Sequence, residues 1–326
     1  MLKYWHPICP VGAVSRGQVI PKKIAGCAMA LFRDEQGSLG AVQDECAHRR
    51  MKLSLGRICG TRLVCPYHGW AFCADGRGES PSAPKLRASV ISYDCAESAG
   101  VIWIRAREGD QPVPEIKMQD WLDAGVVFNR VRAPLELVID NFSEVEHTVT
   151  THPDFGFDPA RADEAVIQVQ TTRDSIRVFN RGPAKAPPFD TRLALGIRRG
   201  DIFHSDYTLH FDPPRSSVIH FWRDGQSGTE RLVKYHVLHY FVPEDRTTTN
   251  IVTFGFLRLP VLLARCFAFP LALLFRRKVR RTVNEDAFLV ENLADQSPQL
   301  DGMKLGRFDP VLRLTRERLR AIYFNE

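Results

Sequence analysis

Cys46-Ala47-His48-Arg49 and, with sixteen residues between that histidine and the next cysteine of the motif, Cys65-Pro66-Tyr67-His68-Gly69-Trp70 decide how the rest of the chain is read. Two thiolates can hold one iron of a [2Fe–2S] cluster while two imidazoles hold the other. Exchanging two thiolates for neutral rings removes negative charge and raises the cluster's potential above that of an all-cysteine ferredoxin. The flanking residues suit a cluster held at the tips of two loops: Gly56 and Gly60 break the intervening segment, Pro66 stiffens the second loop, and Gly69 permits a tight turn. The alternative is a structural Cys2His2 zinc site, since the same four atoms can bind Zn²⁺ tetrahedrally. The Cys-His-Cys-His order and the short gaps are not the usual zinc-finger arrangement, and the cluster is the preferred reading.

Composition sets the frame around this motif. The chain has 326 residues, 44% hydrophobic and 25% charged, which are globular values and a length comfortable for two domains. The opening MLKYWHPICPVG has no basic region followed by an apolar stretch, so no signal peptide is expected. Eight cysteines without an export signal suit a reducing, cytoplasmic setting. Cys9, Cys27, Cys59, Cys73, Cys95 and Cys266 are read as buried free thiols. The net charge of +6 is mild; it suits docking of an acidic electron-transfer partner or simply a solvated surface, and no nucleic-acid motif accompanies it.

From Val11 to about Arg107 the chain reads as short strands between turn signals: AMALFRD, LGAVQDE, TRLVCPYHGWAF, ASVISYD and GVIWIRA. EGDQPVPEI marks the exit from this part. Beyond it, VVFNRVRAPLELVI is strand-like, a helical stretch runs into His152, and AVIQVQT, DSIRVFN, IFHSDYTLHF, SSVIHFW, VKYHVLHYFV and NIVTFGFL can form one antiparallel sheet. Helices are expected over residues 276–294 and 310–324.

The two ligand pairs with Gly69-Trp70 resemble the Rieske signature of the Rieske non-haem iron oxygenases, and Trp5-His6-Pro7 is similar to that family's opening. The resemblance implies an α+β chain. An N-terminal antiparallel β Rieske domain, residues 1–112, would precede a catalytic domain, residues 113–326, with a large antiparallel sheet flanked by helices.

A second constellation follows at Asp140-Asn141-Phe-Ser-Glu144-Val-Glu146-His147, continuing to His152-Pro153. Five helical steps of about 100° leave His147 and His152 roughly 140° apart, so they converge only where a helix is distorted or ends. Pro153 supplies a reason, because the residue before proline is pushed out of the α region. Glu144 lies three residues before His147 and is its neighbour. A facial triad also needs a carboxylate. On residues 276–294, Val279, Val283, Ala287, Val290 and Leu293 form an apolar stripe with Asp286 in its middle, while Glu285 and Glu291 read as solvated. A carboxylate on a core face demands a cation or strong donors, an iron or an arginine.

These residues resemble the family's N-x-x-D-x-x-H-x-x-x-x-H motif and carboxylate-ligand region, which implies that His147, His152 and Asp286 hold a mononuclear iron and that Asn141 shapes the pocket beside it. Relatives carry aspartate where this chain has Glu144. There it bridges an iron histidine to a cluster histidine of the neighbouring subunit, so Glu144 would link His147 to His68 of the next chain in a homotrimer. His204, His210, His220, His236 and His239 are read as core or pocket-wall residues.

The expected activity is that of a terminal monooxygenase component: Fe(II) held by two histidines and one carboxylate leaves positions open for O2. No nucleotide-binding glycine motif is present, so NAD(P)H would act through a separate ferredoxin or flavin reductase. The length is similar to that of the short O-demethylases and hydroxylases of the family, which implies hydroxylation or oxidative demethylation of an organic small molecule. Alternatives are a cis-dihydroxylating dioxygenase, a desaturase, or an electron carrier without oxygenase activity. Finally, the stretch starting at Leu259, LPVLLARCFAFPLALLF, leads into basic residues up to Arg281. Arg265 and Pro270 interrupt it, so a transmembrane span is not expected. It reads as a buried segment, or as an interfacial or pocket-capping element admitting a lipophilic substrate at a membrane surface.

Overall fold

Strands alternating between two cores build the N-terminal part of the computed structural model, which describes residues 2–324. The chain divides into two units, Met1–Ile116 with Val242–Arg246, and Lys117–Phe241 with Thr247–Glu326. In the first, strands β1 (His6–Pro10), β2 (Gln18–Ile24), β3 (Cys27–Arg33), β4 (Leu39–Gln43), β10 (Ser92–Ser98) and β11 (Val101–Ala106) form a six-stranded sheet. Between β4 and β10, the short strands β5 (Arg57–Cys59), β6 (Arg62–Val64), β7 (Ala71–Phe72), β8 (Arg77–Glu79) and β9 (Ala88–Ser89) form a second sheet of five. Successive side chains of a strand point to opposite faces, and β3 uses both. Met29 and Leu31 join one core with Ile24, Ile102 and Ile104, while Ala30 and Phe32 join another with Val42, Leu63 and Phe72. Cys46, Cys65 and Trp70 belong to that second core.

The unit is completed from far along the chain. Val242 packs into its first core, Ala25 and Gly26 N–H donate to the carbonyls of Pro243 and Glu244 at 2.6 and 2.9 Å, and Lys23 pairs with Asp245 at 2.9 Å. Of the six cysteines read as buried, Cys9 is buried and Cys59 and Cys266 are exposed, all of them free. Cys59 ends β5 at a turn, and Cys266 lies on an outward face of a helix, positions where a thiol has no core to enter.

The second unit holds a seven-stranded antiparallel sheet. Its strands are β12 (Leu122–Val131), β13 (Val166–Thr171), β14 (Ser175–Pro183), β15 (Ile202–Phe211), β16 (Pro214–Arg223), β17 (Lys234–Asp245) and β18 (Thr248–Arg258). The six segments expected to share a sheet fall on β13 to β18. VVFNRVRAPLELVI is corrected. Its first half is β12, but Pro134 caps helix α1 (Leu135–Phe142). All of Leu135 to Ile139 are buried, Glu136 included, and the apolar run Leu137-Val138-Ile139 reads as strand as readily as helix. The helical stretch expected to reach His152 stops at Phe142, and a separate 3₁₀ turn covers Glu146–Val149.

Helix α2 (Phe189–Leu195) was not anticipated. Helix α3 (Val261–Glu291) absorbs the apolar stretch that had been read as a separate segment. It breaks at Phe267, whose φ is −129°, and Pro270 follows three residues later. Proline in the first turn after a break forfeits no hydrogen bond, which is why the helix resumes through it. Val279, Val283, Asp286 and Val290 are buried on one face as the 100° reading requires, whereas Leu293 lies beyond the helix end and is exposed. Helix α4 (Leu312–Leu319) follows. No helix among the described residues is long and apolar enough to cross a membrane.

Candidate functional site

His147 and His152 reach one point because the helix carrying them has already ended. The 3₁₀ turn turns His147 inward, and the residue before Pro153 leaves helical geometry. From the opposite side α3 presents Asp286. His147 Nε2 lies 3.2 Å from His152 Nε2, and Asp286 Oδ1 lies 3.3 and 3.1 Å from the two nitrogens. Donors about 2.1 Å from a shared ion, with bonds at right angles, are about 3.0 Å apart, so this triangle fits three adjacent positions on one metal. His152 and Asp286 are buried. Burial opposes charge on Asp286, yet the two imidazoles override it and hold the carboxyl well below its ordinary range. Burial likewise disfavours a charged His147, and hydrogen bonds to Asp286 and Glu144 outweigh it, raising the ring to about 10. A buried carboxylate between two ring nitrogens, with no arginine on it, is a receptor for a cation.

Each of these three side chains is fixed from behind. Asn141 Nδ2 donates to Asp286 Oδ1 at 3.0 Å. His147 Nδ1 donates to Glu144 Oε1, whose other oxygen accepts the His147 backbone N–H at 3.1 Å. His152 Nδ1 donates to Glu285 Oε2 at 3.0 Å, and Arg281 Nε holds Glu285 Oε1 at 2.8 Å. A carboxylate on the far nitrogen sets tautomer and ring orientation and raises ligand basicity. Glu285 is therefore not the solvated residue expected from its place off the stripe. The one signal it offered, an i,i+4 spacing from Arg281, is shared with any surface ion pair. Glu291 also leaves solvent, accepting from Arg132 N at 2.8 Å.

Beside the triad a cavity of about 180 Å³ is lined mainly by apolar side chains, among them Phe155, Leu257, Leu271 and Phe275. Of the five histidines read as core or wall, His220 and His239 line it. His204 instead stacks on Phe221 with ring centroids 4.5 Å apart, and His236 bonds Ser217 at 2.7 Å.

The cluster motif is built by two loops of one design. Cys46 N–H donates to Met51 O and Arg50 N–H returns to Cys46 O, at 2.8 and 2.9 Å; Cys65 N–H donates to Trp70 O and Gly69 N–H returns to Cys65 O, at 2.8 and 3.2 Å. The fifth residue of each loop is left-handed, Arg50 at φ 57° and Gly69 at φ 71°. The cysteines sit at the buried base, while His48 and His68 are exposed at the tips with ring centroids 4.6 Å apart. Trp70 stacks under His48 at 4.9 Å. Burial pushes the Cys46 thiol up, against which the backbone N–H groups of His48 and Arg49 face its sulfur. Two thiols at the base and two imidazoles at the rim are the donor set of a mixed-ligand [2Fe–2S] cluster, with the histidine edge turned to solvent.

Fold and donor sets together define a two-centre iron protein, an iron–sulfur unit followed by a mononuclear metal unit. Known proteins place it further. Residues 4–94 match the Rieske [2Fe-2S] domain and residues 131–318 the vanillate O-demethylase oxygenase C-terminal domain. Methylxanthine N1-demethylase NdmA of Pseudomonas putida is 28% identical over 64% of this chain and 66% of its own length. The 4beta-methylsterol monooxygenase of Methylococcus capsulatus is 30% identical over 79% of this chain and 70% of its own. Chlorophyllide a oxygenase of Chlamydomonas reinhardtii is 33% identical, but the match spans only 24% of that protein. Crystalline dicamba monooxygenase bound to 3,6-dichlorosalicylic acid shares the fold, with a TM-score of 0.80 at 16% identity over 99% of this chain and 97% of that one. The chain belongs to the Rieske oxygenase family, with its [2Fe–2S] domain and its vanillate O-demethylase-type oxygenase domain.

Proposed function

We propose that this chain is the terminal oxygenase component of a Rieske non-haem iron monooxygenase that hydroxylates or oxidatively demethylates a small organic molecule. In this reading residues 1–112 hold the cluster on Cys46, His48, Cys65 and His68, and residues 113–326 hold Fe(II) on His147, His152 and Asp286. The observation that carries it is the convergence of those three donors within 4.8 Å of one another on the wall of an apolar cavity. When bound there, iron supplied with electrons from the cluster activates O2 for oxidation of a C–H bond. The chain's own residues do the rest. The apolar wall excludes water and seats an organic body beside the donors. Asn141 orients the Asp286 carboxylate, and Glu144 and Glu285 hold both imidazoles with their Nε2 lone pairs inward.

Electrons reach the cluster from NAD(P)H through a separate ferredoxin or flavin reductase, which the exposed histidine edge suits. The assembly is a homotrimer in which Glu144 couples His147 to His68 of the next subunit. In support, Glu144 already grips His147 while keeping 19% of its side chain exposed. We place the protein in the cytoplasm, at a membrane periphery. Phe189 and Leu193 of α2, with Phe267, Phe269 and Leu274 of α3, are large exposed apolar groups, flanked by exposed Arg192, Arg277 and Arg280. That pairing suits an anionic headgroup boundary, while Leu271 and Phe275 face the cavity. The side chains of residues 261–265 lie outside the described ones.

Asp286→Ala tests the reading. It should lose the mononuclear iron and all product formation, tested with a surrogate reductase and a library of small aromatic and lipophilic compounds, and keep the cluster's visible spectrum. Undiminished turnover would remove Asp286 from the site.

A further inference from the structure

One row of the sheet stands out from the apolar wall around it. Ser205, His220 and Tyr235 are direct cross-strand neighbours on β15, β16 and β17, and all three line the cavity. Ser205 Oγ lies 3.0 Å from His220 Nε2, and His220 Nδ1 lies 2.6 Å from the Tyr235 hydroxyl. The rows on either side are Phe203 with Trp222, and Tyr207 with Val218 and Val237. Phe155 joins this row to the metal site: its ring centroid is 4.9 Å from that of His152 and 4.9 Å from that of His220. His152 and His220 are therefore separated by less than twice 4.9 Å.

The protons of the row can be counted. Ser205 and Tyr235 carry one hydroxyl proton each and a neutral imidazole carries one more, while the row contains two hydrogen bonds. If the ring proton is on Nε2, the ring donates to Ser205 and accepts from Tyr235, and the Ser205 proton is left over. If it is on Nδ1, the Tyr235 proton is left over. In either tautomer one hydroxyl donor remains, and no other acceptor for it is found among the described residues.

The charge of the site is equally constrained. Burial drives His220 down to about 3, with the neighbouring histidines adding to the effect, so the ring is neutral at any physiological pH. Lys278, the cation of the wall, is held at 2.8 Å by both Asp154 and Thr191. Glu144, Asp154 and Asp286 are the carboxylates of the lining, and Asp286 would be taken up by the iron.

We infer that the Ser205–His220–Tyr235 row reads the substrate through this surplus proton, and that the substrate is a neutral, largely apolar molecule bearing one hydrogen-bond acceptor, such as a carbonyl or ether oxygen, within one ring's width of its oxidised carbon. The inference rests on the oxygenase reading of the same cavity and narrows it to a substrate class. An anion is disfavoured at this row because Lys278, the lysine of the lining, is already held by Asp154, and a bare hydrocarbon because it leaves the donor unpaired in an apolar wall.

Matched probes test it on the holoenzyme without reductant: 1-indanone, indane and indane-1-carboxylate, with binding read by calorimetry. The wild type should bind 1-indanone about tenfold more tightly than either other probe, the worth of one net hydrogen bond. The triple variant S205A/H220L/Y235F replaces every partner by an apolar group, a change that leaves no orphan. With iron content and cluster spectrum retained, it should bind indane as before and lose the preference for 1-indanone. Equal wild-type affinity for 1-indanone and indane, tightest binding of the carboxylate, or no binding of any probe overturns the inference, and this wild-type comparison stands whether or not the variant folds. A chain that prefers 1-indanone yet forms no product when reduced would instead overturn the oxygenase reading and leave the substrate class standing.

Discussion

Two glutamates that are not themselves proposed ligands decide how the histidines of the triad stand. Glu144 and Glu285 each accept the far ring proton of a histidine, so each imidazole is turned before any metal arrives. Glu285→Ala should weaken iron binding about 10- to 100-fold, the usual effect of losing such a partner, and Glu285→Gln should recover part of it through its amide oxygen. Competition with a chelator, using the cluster's absorbance as internal control, measures both; equal iron retention in all three proteins would assign Glu285 to the Arg281 pair alone. Gly69 carries a different burden. A Cβ there would meet only Pro81 Cγ at 3.7 Å, so space is not the obstacle. Its φ of 71° is, at about 1–2 kcal/mol for an L side chain. Gly69→Ala should lower the melting temperature and accelerate cluster loss, and an unchanged melting curve would mean the loop tolerates a side chain in the left-handed region as it does at Arg50, which holds a φ of 57°.

Among the elements, α1 matters most because its last turn carries Asn141, and it is clamped to α4. Arg316 is buried; its Nε donates to Asp140 Oδ2 at 2.8 Å, and its Nη1 donates to the carbonyls of Pro298 and Gln299 at 2.9 and 3.0 Å. Removing one partner of a buried pair strands the other, at a cost of about 3–5 kcal/mol. Arg316→Ala should therefore lose that much stability in denaturant titration, and a change below about 1 kcal/mol would show that water reaches Asp140. Elements such as these mark where the sequence could be read. Strands β14 to β16 were legible because residues alternate over long runs, β17 and β18 because they are rich in β-branched and aromatic residues, and Asp286 because a charge interrupts a helical stripe. Helix α1 was missed because the apolar run Leu137-Val138-Ile139 suits a strand equally well, although Glu136 and Asp140, four residues apart, share a helical face. Nor was the early start of α3 legible, because Pro270 looks like an interruption unless a break precedes it. The row across β15, β16 and β17 depends on strand register, which pairs residues fifteen apart and leaves no mark in any local window.

At the scale of the whole molecule, the proposal requires electrons to pass between subunits through Glu144. Glu144→Gln should keep both metals and slow single-turnover product formation from a pre-reduced cluster, whereas wild-type rates would remove it from the path. Mixing carries the same idea further. Cys65→Ser, which lacks the cluster, and Asp286→Ala, which lacks the iron, should each be inactive alone and regain activity after co-refolding into mixed trimers. No recovery would confine electron transfer to a single chain. Beneath all of this lies the claim that one chain holds two kinds of iron centre. Iron quantification with EPR of the reduced protein tests it most directly. About three irons per chain are expected, two in a mixed histidine–cysteine cluster and one in the triad, falling to about two in Asp286→Ala with the cluster signal intact. A wild type that holds only the cluster irons, or an Asp286→Ala variant that keeps all of them, would contradict the account.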